Sequence, residues 1–167
     1  LGDLPGGAYD LVFAAFPFDN IPGLERKAAL FAGLAGLLAP GGRIVTIVSA
    51  PEIYVNEWAS FSTRDFPENR EARSGDRVKI VMLDVPDRRP VEDILWTDES
   101  YRDVYRTAGI EVERMERPLG AADDGRAWVS ERTVAPWTIY VLRPVRAFRQ
   151  AAGGIPTSFL NARLNAA

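Results

Sequence analysis

The sequence predicts an α/β fold with a parallel pair of strands at its centre. An apolar run over residues 8–16 is followed by helical spacing over 24–38 and by a β-branched run over 43–49. Strand, helix and strand in this order form a parallel pair, because the crossover is right-handed and long enough to return in the same direction. The last third of the chain again alternates helix and strand. With 167 residues, the chain is expected to form one domain.

The first strand and helix are predicted from the placing of apolar residues. Residues 8–16 are apolar almost throughout, which is typical of a strand buried on both faces of a sheet. Over 24–38 the apolar residues recur at helical spacing, which predicts an amphipathic helix. Its polar face takes three consecutive charged residues: Glu25, Arg26 and Lys27. The turn Pro40-Gly41-Gly42 is expected to end this helix, with a glycine in the left-handed cap position.

Residues 50–96 interrupt the alternation and are predicted to form an insertion. Its first part is rich in aromatic residues: Tyr54, Trp58, Phe61 and Phe66. The charged residues 68–77 follow and predict a loop. The runs 78–83 and 91–96 then predict the two strands of a hairpin, joined through the proline-flanked connection 86–90.

Helix and strand signals return after the insertion. Thr97 is a predicted N-cap, because the two acidic residues after it suit the positive end of a helix. Gly109 stands where a C-terminal cap belongs. Residues 110–117 alternate weakly and predict a strand, and the run 137–142 predicts another, which Pro144 stops.

The composition excludes several kinds of chemistry. The sequence holds no cysteine and no histidine, which excludes disulfides, thiolate nucleophiles, a histidine general base and the usual zinc sites, and no metal site is predicted. A net charge of −3 leaves no basic surface for nucleic acid or for an anionic membrane. No apolar run reaches the length of a membrane span, about 20 residues, and no signal peptide is recognisable. We therefore expect a cytoplasmic protein without a nucleic-acid or membrane partner.

Two stretches of sequence, within this order of elements, carry a resemblance. Residues 37–45 read LLAPGGRIV and resemble the turn before the fifth strand of class I S-adenosylmethionine-dependent methyltransferases. Residues 101–112 read YRDVYRTAGIEV and resemble the last helix of that family and its entry into the sixth strand. Residues 9–16 are similar to the fourth strand, and 137–143 to the final antiparallel strand. The resemblance covers roughly residues 7 to 144, by the usual length of Rossmann-like half-domains.

The resemblance implies the fold class: α/β, a partial Rossmann-like methyltransferase sheet (strands four to seven of the family) with an inserted β-hairpin and loop region. The family holds its cofactor with a glycine-rich loop after strand one and an acid at the end of strand two, and the sequence has neither. We therefore expect the N-terminal half of the fold, and most of the S-adenosylmethionine site, to be absent. Residues 1–144 would be the C-terminal half of the domain, with the insertion at about 50–96, and 145–167 a loose or helical tail.

The resemblance also implies which residues form the site, since ligands of open α/β sheets lie beyond the carboxyl ends of the strands. Three residues at the end of the first strand would offer backbone groups to S-adenosylmethionine: Ala14, Ala15 and Phe16. Asp19 would be the catalytic residue, a carboxylate that orients or deprotonates the acceptor. The acceptor would meet six residues of the loops after the two strands: Pro17, Phe18, Asn20, Glu52, Tyr54 and Trp58.

Each of these residues also has an ordinary structural interpretation. Asp19 and Asn20 are good N-cap residues for the helix that follows, and the two phenylalanines beside them are well suited to the core. The aromatic residues of the insertion are equally consistent with a packed cluster beneath it. Glu131 and Arg132, before the last strand, are further candidates at this edge, although most such charges are solvated.

The leading hypothesis is methyl transfer from S-adenosylmethionine to a small-molecule acceptor. This in-line displacement requires positioning and desolvation more than a special nucleophile, so the lack of histidine and cysteine is compatible with it. The alternatives are a non-catalytic Rossmann-like binding or oligomerisation module and the distal half of a nicotinamide-dependent oxidoreductase, which the absence of a Tyr-x-x-x-Lys pair disfavours. Without its family neighbour the first strand would be an exposed apolar edge, so we expect self-association through it or pairing with the missing N-terminal half.

Overall fold

Seven strands and two α-helices form over residues 3–123 and 125–145, the part of the chain that this computed structural model describes. The strands are β1 (Tyr9–Ala15), β2 (Leu38–Ser49), β3 (Phe61–Ser62), β4 (Arg77–Met82), β5 (Pro90–Ile94), β6 (Ile110–Glu116) and β7 (Trp137–Pro144). The helices are α1 (Leu24–Leu37) and α2 (Asp98–Thr107), and short 3₁₀ turns cover Pro51–Tyr54 and Pro67–Glu71. The predicted tail beyond Val145 lies outside the described residues.

The main sheet has the strand order β1-β2-β7-β6. β1 and β2 are parallel and are joined through α1, which confirms the predicted strand-helix-strand unit. β7 is antiparallel to both of its neighbours, so β6 runs in the same direction as β1 and β2. The carboxyl ends of three strands therefore meet at one edge of the sheet.

Both helices pack against one face of this sheet. Val12, Ile44 and Leu142 lie next to each other across three strands and contact the same core as Phe31 of α1 and Val104 of α2. Alternate residues point to the other face, because side chains of a strand have a period of two.

β1 is an edge strand of the sheet that the described residues form. Leu11 and Phe13 remain 56% and 60% exposed on the face away from the helices. The interpretation of residues 8–16 as a strand buried on both faces is therefore wrong for the described part of the chain, where no strand pairs with the outer side of β1 and no helix covers its other face.

The insertion forms a second sheet of order β3-β4-β5. The predicted hairpin is confirmed as the antiparallel pair β4 and β5. The third strand, β3, was not predicted, since it is two residues long. This sheet has a core of its own, formed by Ile53, Tyr54, Trp58, Val78, Ile80 and Leu95.

The sequence predicts the caps of α2 correctly, but it does not predict how α1 ends. Thr97 caps α2 by accepting a hydrogen bond from the Ser100 N–H, and Gly109 follows the helix with φ 70°, as predicted. α1 instead ends at Leu37, with Leu38 already extended. The prediction of a left-handed glycine cap from Pro40-Gly41-Gly42 is wrong, because β2 begins at Leu38 and already includes these three residues. Pro40 adds to this early end, since a proline disfavours helical angles in the residue before it.

Candidate active site

The candidate site lies at the edge where β1 and β2 end. The loop of residues 16–23 leaves β1 there, and the Pro51–Tyr54 turn leaves β2. Phe16 donates its N–H to the carbonyl of Ile47 at 2.9 Å, which extends the pairing of the strands to the start of the loop. The residues predicted for cofactor, catalysis and acceptor lie at or after one of these two strand ends, with Ala14 and Ala15 as the last two residues of β1.

Phe16 has a left-handed backbone, with φ 65°, and it is the one non-glycine residue with positive φ in the described part of the chain. A bulky residue in this region is strained, and such strain is concentrated at functional sites. Its ring is 41% exposed and meets the ring of Trp137 edge-on, with centroids 5.8 Å apart. Of the other two predicted cofactor residues, Ala15 is exposed and Ala14 packs against the core.

Asp19 is 4% exposed and is held by two hydrogen bonds. The backbone N–H of Ser49 donates to one carboxylate oxygen at 3.0 Å, and the Tyr101 hydroxyl donates to the other at 2.8 Å. Burial raises the pKa of the Asp19 carboxyl, and the hydrogen bonds from Tyr101 and Ser49 oppose this rise. Asp19 therefore joins the loop after β1 to the end of β2 and to α2.

The alternative that Asp19 and Asn20 cap the first helix is wrong. The N-cap of α1 is Gly23, and no side chain hydrogen-bonds to this end of the helix. The loop places both polar residues too early for capping, and each has a partner elsewhere.

A buried lysine lies beside Asp19. Lys27 is fully buried, its Nζ lies 3.8 Å from the ring centre of Trp96, and it donates to the Tyr101 hydroxyl at 3.4 Å. Burial lowers the pKa of the Lys27 ammonium to about 7, and the charge of Asp19 opposes this change. The prediction that Lys27 lies on the polar face of the helix is wrong. The spacing of Lys27, Phe31 and Leu34 on one helical stripe is the signal that could have shown its burial.

Asn20 and Tyr54 both bind Asp93, a residue of β5 that the sequence did not single out. The Asn20 amide donates to one oxygen of Asp93 at 2.8 Å, and the Tyr54 hydroxyl donates to the other at 3.3 Å. Burial and the charge of Asp93 raise the pKa of the Tyr54 hydroxyl. The insertion is thereby tied to the loop after β1.

The remaining predicted acceptor residues divide between core and surface. Phe18 is buried against Phe31, with ring centroids 4.4 Å apart, so the core interpretation holds for Phe18 and not for Phe16. Pro17 is exposed beside it. Glu52 forms an ion pair with Arg117 at 2.7 Å at the same edge.

A cavity of about 360 Å³ lies between the insertion and the connection from β6 to β7. We call it the tryptophan pocket, after the aromatic residues that line it: Trp58, Phe61, Trp128 and Trp137. Trp58 is buried, and its indole N–H donates to the carbonyl of Ile53 at 2.9 Å. Glu131 also lines the pocket and is buried, whereas Arg132 is exposed. Trp128 was not predicted, because it lies in an irregular segment that only the tertiary fold brings to the insertion.

The described part of the chain has no group of three or more carboxylates placed so that it could hold a metal ion. Neither helix in this part of the chain is long and apolar enough to cross a membrane.

The sequence matches no protein-family model and no curated protein. The fold, in contrast, is similar to solved structures of S-adenosylmethionine-dependent methyltransferases. The TM-score is 0.58 with a putative enzyme of this kind from Listeria monocytogenes, at 13% identity over 83% of this chain and 63% of that one. It is 0.55 with one from Mesorhizobium loti, at 16% identity over 84% of this chain and 63% of that one. It is 0.52 with the CcbJ methyltransferase from Streptomyces caelestis, at 17% identity over 86% of this chain and 64% of that one.

At these identities the likeness shows the fold alone. The predicted Rossmann-like, methyltransferase-type α/β fold is confirmed at this level. The chain spans less than two thirds of the length of each of the three structures.

Proposed function

We propose that this chain forms the acceptor side of an S-adenosylmethionine-dependent methyltransferase site and that the acceptor is a small molecule. The observation that carries the proposal is the edge where β1 and β2 end. There, the buried Asp19 holds the loop that begins at the strained Phe16, in a fold that is similar to methyltransferase structures. Ligands of open α/β sheets lie at this kind of edge.

The residues at the end of β1 fit one wall of an S-adenosylmethionine site. When bound, this cofactor supplies a methyl group on a sulfonium cation, and the exposed ring of Phe16 offers an aromatic face that attracts a cation. Ala14 and Ala15 lie on an edge strand, whose outer side carries unpaired backbone groups. The glycine-rich loop and ribose-binding acid that would complete the site are not in the sequence. We therefore propose that another polypeptide segment supplies them.

In this proposal the residues of the chain position and desolvate the reactants, which is what an in-line displacement requires. Asp19 is a positioning residue: its two hydrogen bonds fix the loop that carries Phe16 and Pro17 toward the ligand. Asn20 fixes the insertion over the same edge through Asp93. Glu52 and Trp58 line the two sides of the acceptor region, and the buried Phe18 and Tyr54 support it from beneath.

We further propose that the open edge of β1 is paired in the working protein, with a second copy of this chain or with the missing half of the methyltransferase domain. The support for this is the exposure of Leu11 and Phe13 on an edge strand. Strands of this kind are templates for pairing with another chain.

Ultraviolet cross-linking with S-adenosyl-[methyl-³H]methionine tests the proposed function. We expect label in the tryptic peptide that contains Ala14, Ala15 and Phe16, and we expect an excess of S-adenosylhomocysteine to remove it. Label elsewhere, or label that S-adenosylhomocysteine leaves unchanged, contradicts the proposed cofactor wall.

Calorimetric titration of the chain with S-adenosylhomocysteine tests the incomplete site separately. We expect weak binding, with a Kd of about 1 mM or above, because one wall contributes few contacts. Binding in the low micromolar range would show that the 167 residues hold the whole cofactor site and would contradict the need for a second segment.

A further inference from the structure

We propose that the tryptophan pocket holds the methyl acceptor and selects a flat aromatic ring system. This inference rests on the proposed function and adds the chemical class of the substrate. The pocket lies next to the proposed cofactor wall, because Trp137 of its lining contacts the ring of Phe16, with centroids 5.8 Å apart. A ligand in the pocket would therefore lie beside the residue that faces the cofactor.

Three parts of the chain build the pocket. The insertion supplies Trp58 and Phe61, the connection from β6 to β7 supplies Trp128, and β7 itself supplies Trp137. The first two are joined to each other by hydrogen bonds. Glu131 joins these segments: the N–H of Ala59 donates to one of its oxygens at 2.6 Å, and the N–H of Val129 donates to the other at 2.8 Å. The pocket is thus a preformed feature of the fold.

The lining favours aromatic contact over hydrogen bonding. Both oxygens of the Glu131 carboxylate already accept hydrogen bonds from backbone N–H groups, so we assign this carboxylate a structural role and not a ligand-binding one. The guanidinium of Arg126 lies 5.4 Å from the ring centre of Trp128, where it is placed over the aromatic face. Aromatic side chains on several sides of a cavity select flat rings through stacked and edge-on contacts.

The size of the pocket limits the ring system. A volume of about 360 Å³ is near the lower end of small-molecule sites, which span about 300–1,000 Å³. One or two fused rings with a short substituent fit this space.

Gly120 provides a precise way to disturb the pocket without removing any aromatic residue. A Cβ at Gly120 would lie 2.8 Å from Cε2 and from Nε1 of Trp128. Gly120→Ala therefore forces the Trp128 ring to move, while all four aromatic side chains of the pocket remain. Val129, next to Trp128 in the sequence and 58% exposed, does not line the pocket and is the matched control position.

The test is calorimetric titration of the protein, without cofactor, with two probes of the same carbon skeleton: 2-naphthol, which is flat, and decahydro-2-naphthol, which is saturated and puckered. We expect 2-naphthol to bind about tenfold more tightly. We expect Trp128→Ala and Gly120→Ala each to weaken its binding about fivefold or more, and Val129→Ala to leave it unchanged. Thermal unfolding of each variant shows whether the fold is kept. If Trp128→Ala does not fold, the naphthol affinity of Gly120→Ala alone tests whether the pocket binds the probe.

Equal binding of the two probes, or unchanged naphthol binding by a folded Gly120→Ala protein, would overturn the inference. The outcome is separate from that of the cross-linking experiment. Selective naphthol binding without S-adenosylmethionine labelling would support the aromatic pocket and contradict the methyltransferase proposal. Labelling of the peptide that contains Phe16, without selective naphthol binding, would support the methyltransferase proposal and contradict the aromatic pocket.

Discussion

The hydroxyl of Tyr101 donates a 2.8 Å hydrogen bond to the carboxylate of Asp19, and both side chains are buried. This contact joins the first turns of α2 to the loop after β1, two parts of the chain that are 82 residues apart. It connects the second helix directly to the candidate site.

We predict that Tyr101→Phe lowers the free energy of unfolding by about 1–3 kcal/mol, because it removes a donor from a buried carboxylate. The measurement is urea unfolding at pH 7. Tyr105→Phe is the matched control, since Tyr105 is one turn further along the same helix, and its buried hydroxyl has no hydrogen-bond partner among the described residues. That variant should be neutral or stabilising. Equal losses in the two variants would show that the Tyr101 hydroxyl contributes nothing through Asp19.

Lys27 makes the stability depend on pH above neutrality. Its pKa is about 7 in the folded protein, against an ordinary value of 10.5, so the unfolded chain binds more protons between these two values. The free energy of unfolding therefore rises with pH in this window, by about 2 kcal/mol between pH 7 and pH 9 from this group alone. Asp19 acts in the opposite sense at acid pH: its raised pKa makes stability fall as pH rises above its ordinary value.

The comparison of wild-type protein with Lys27→Met by urea unfolding at pH 7, 8 and 9 isolates the lysine. We expect the difference between the two proteins to shift in favour of the wild type as pH rises, since methionine does not titrate. Parallel curves for the two proteins over this range would mean that Lys27 keeps its ordinary pKa.

Phe16 has a backbone conformation that glycine adopts without strain. We predict that Phe16→Gly is more stable than Phe16→Ala by about 1 kcal/mol, because both lose the ring and only glycine relieves the positive φ. The control is the neighbouring Ala15→Gly, in the extended strand β1, which should lose about 0.5–1 kcal/mol. Chemical unfolding of the wild-type protein and the three variants measures this difference. Glycine in place of alanine should raise the free energy of unfolding at position 16 and lower it at position 15. If Phe16→Ala proves more stable than Phe16→Gly, the left-handed conformation at this residue is not the native one.

The edge of β1 should drive association in solution. We predict that the wild-type chain elutes as a dimer or larger species in size-exclusion chromatography with light scattering at high concentration, and that Phe13→Lys shifts it toward the monomer. The control is Val91→Lys. Val91 lies on β5, the edge strand of the second sheet, and is 39% exposed. This variant should not change the molar mass of the species in solution, because the proposed association uses β1 and not β5. A well-folded wild-type monomer at all concentrations contradicts self-association through β1.

The order of the elements could be predicted because local signals were strong. The apolar and β-branched runs, the helical spacing and the Thr97 cap each depend on near neighbours in the sequence. The end of α1 was predicted to within one residue. The glycine cap was not found there, because the chain is already extended at Leu38 and Pro40 disfavours helical angles in the residue before it. Gly42 is needed for a different reason. A Cβ there would lie 2.8 Å from the carbonyl oxygen of Tyr9, so glycine at this position lets the start of β1 lie this close to β2.

The sequence predicted where the candidate residues lie better than it predicted their contacts. The rule for strand ends indicated the loop after β1 as the candidate site, and Asp19 lies in that loop. The left-handed φ of Phe16 could not be predicted from the sequence, since phenylalanine is an unusual residue for that conformation. Asp93 and Trp128 join the site only because the second sheet and the connection between β6 and β7 fold back over the sheet edge, which no short-range pattern records.

The bonds from Asn20 and Tyr54 to Asp93 have a consequence for protein engineering. The small sheet has a core of its own, so it could be grafted into another protein of this fold. Such a graft would keep its own packing and would leave the strand-end loop of the recipient without this contact. A chimaera must therefore carry position 20 and its carboxylate partner together, so that the small sheet and the loop geometry are transferred as one unit.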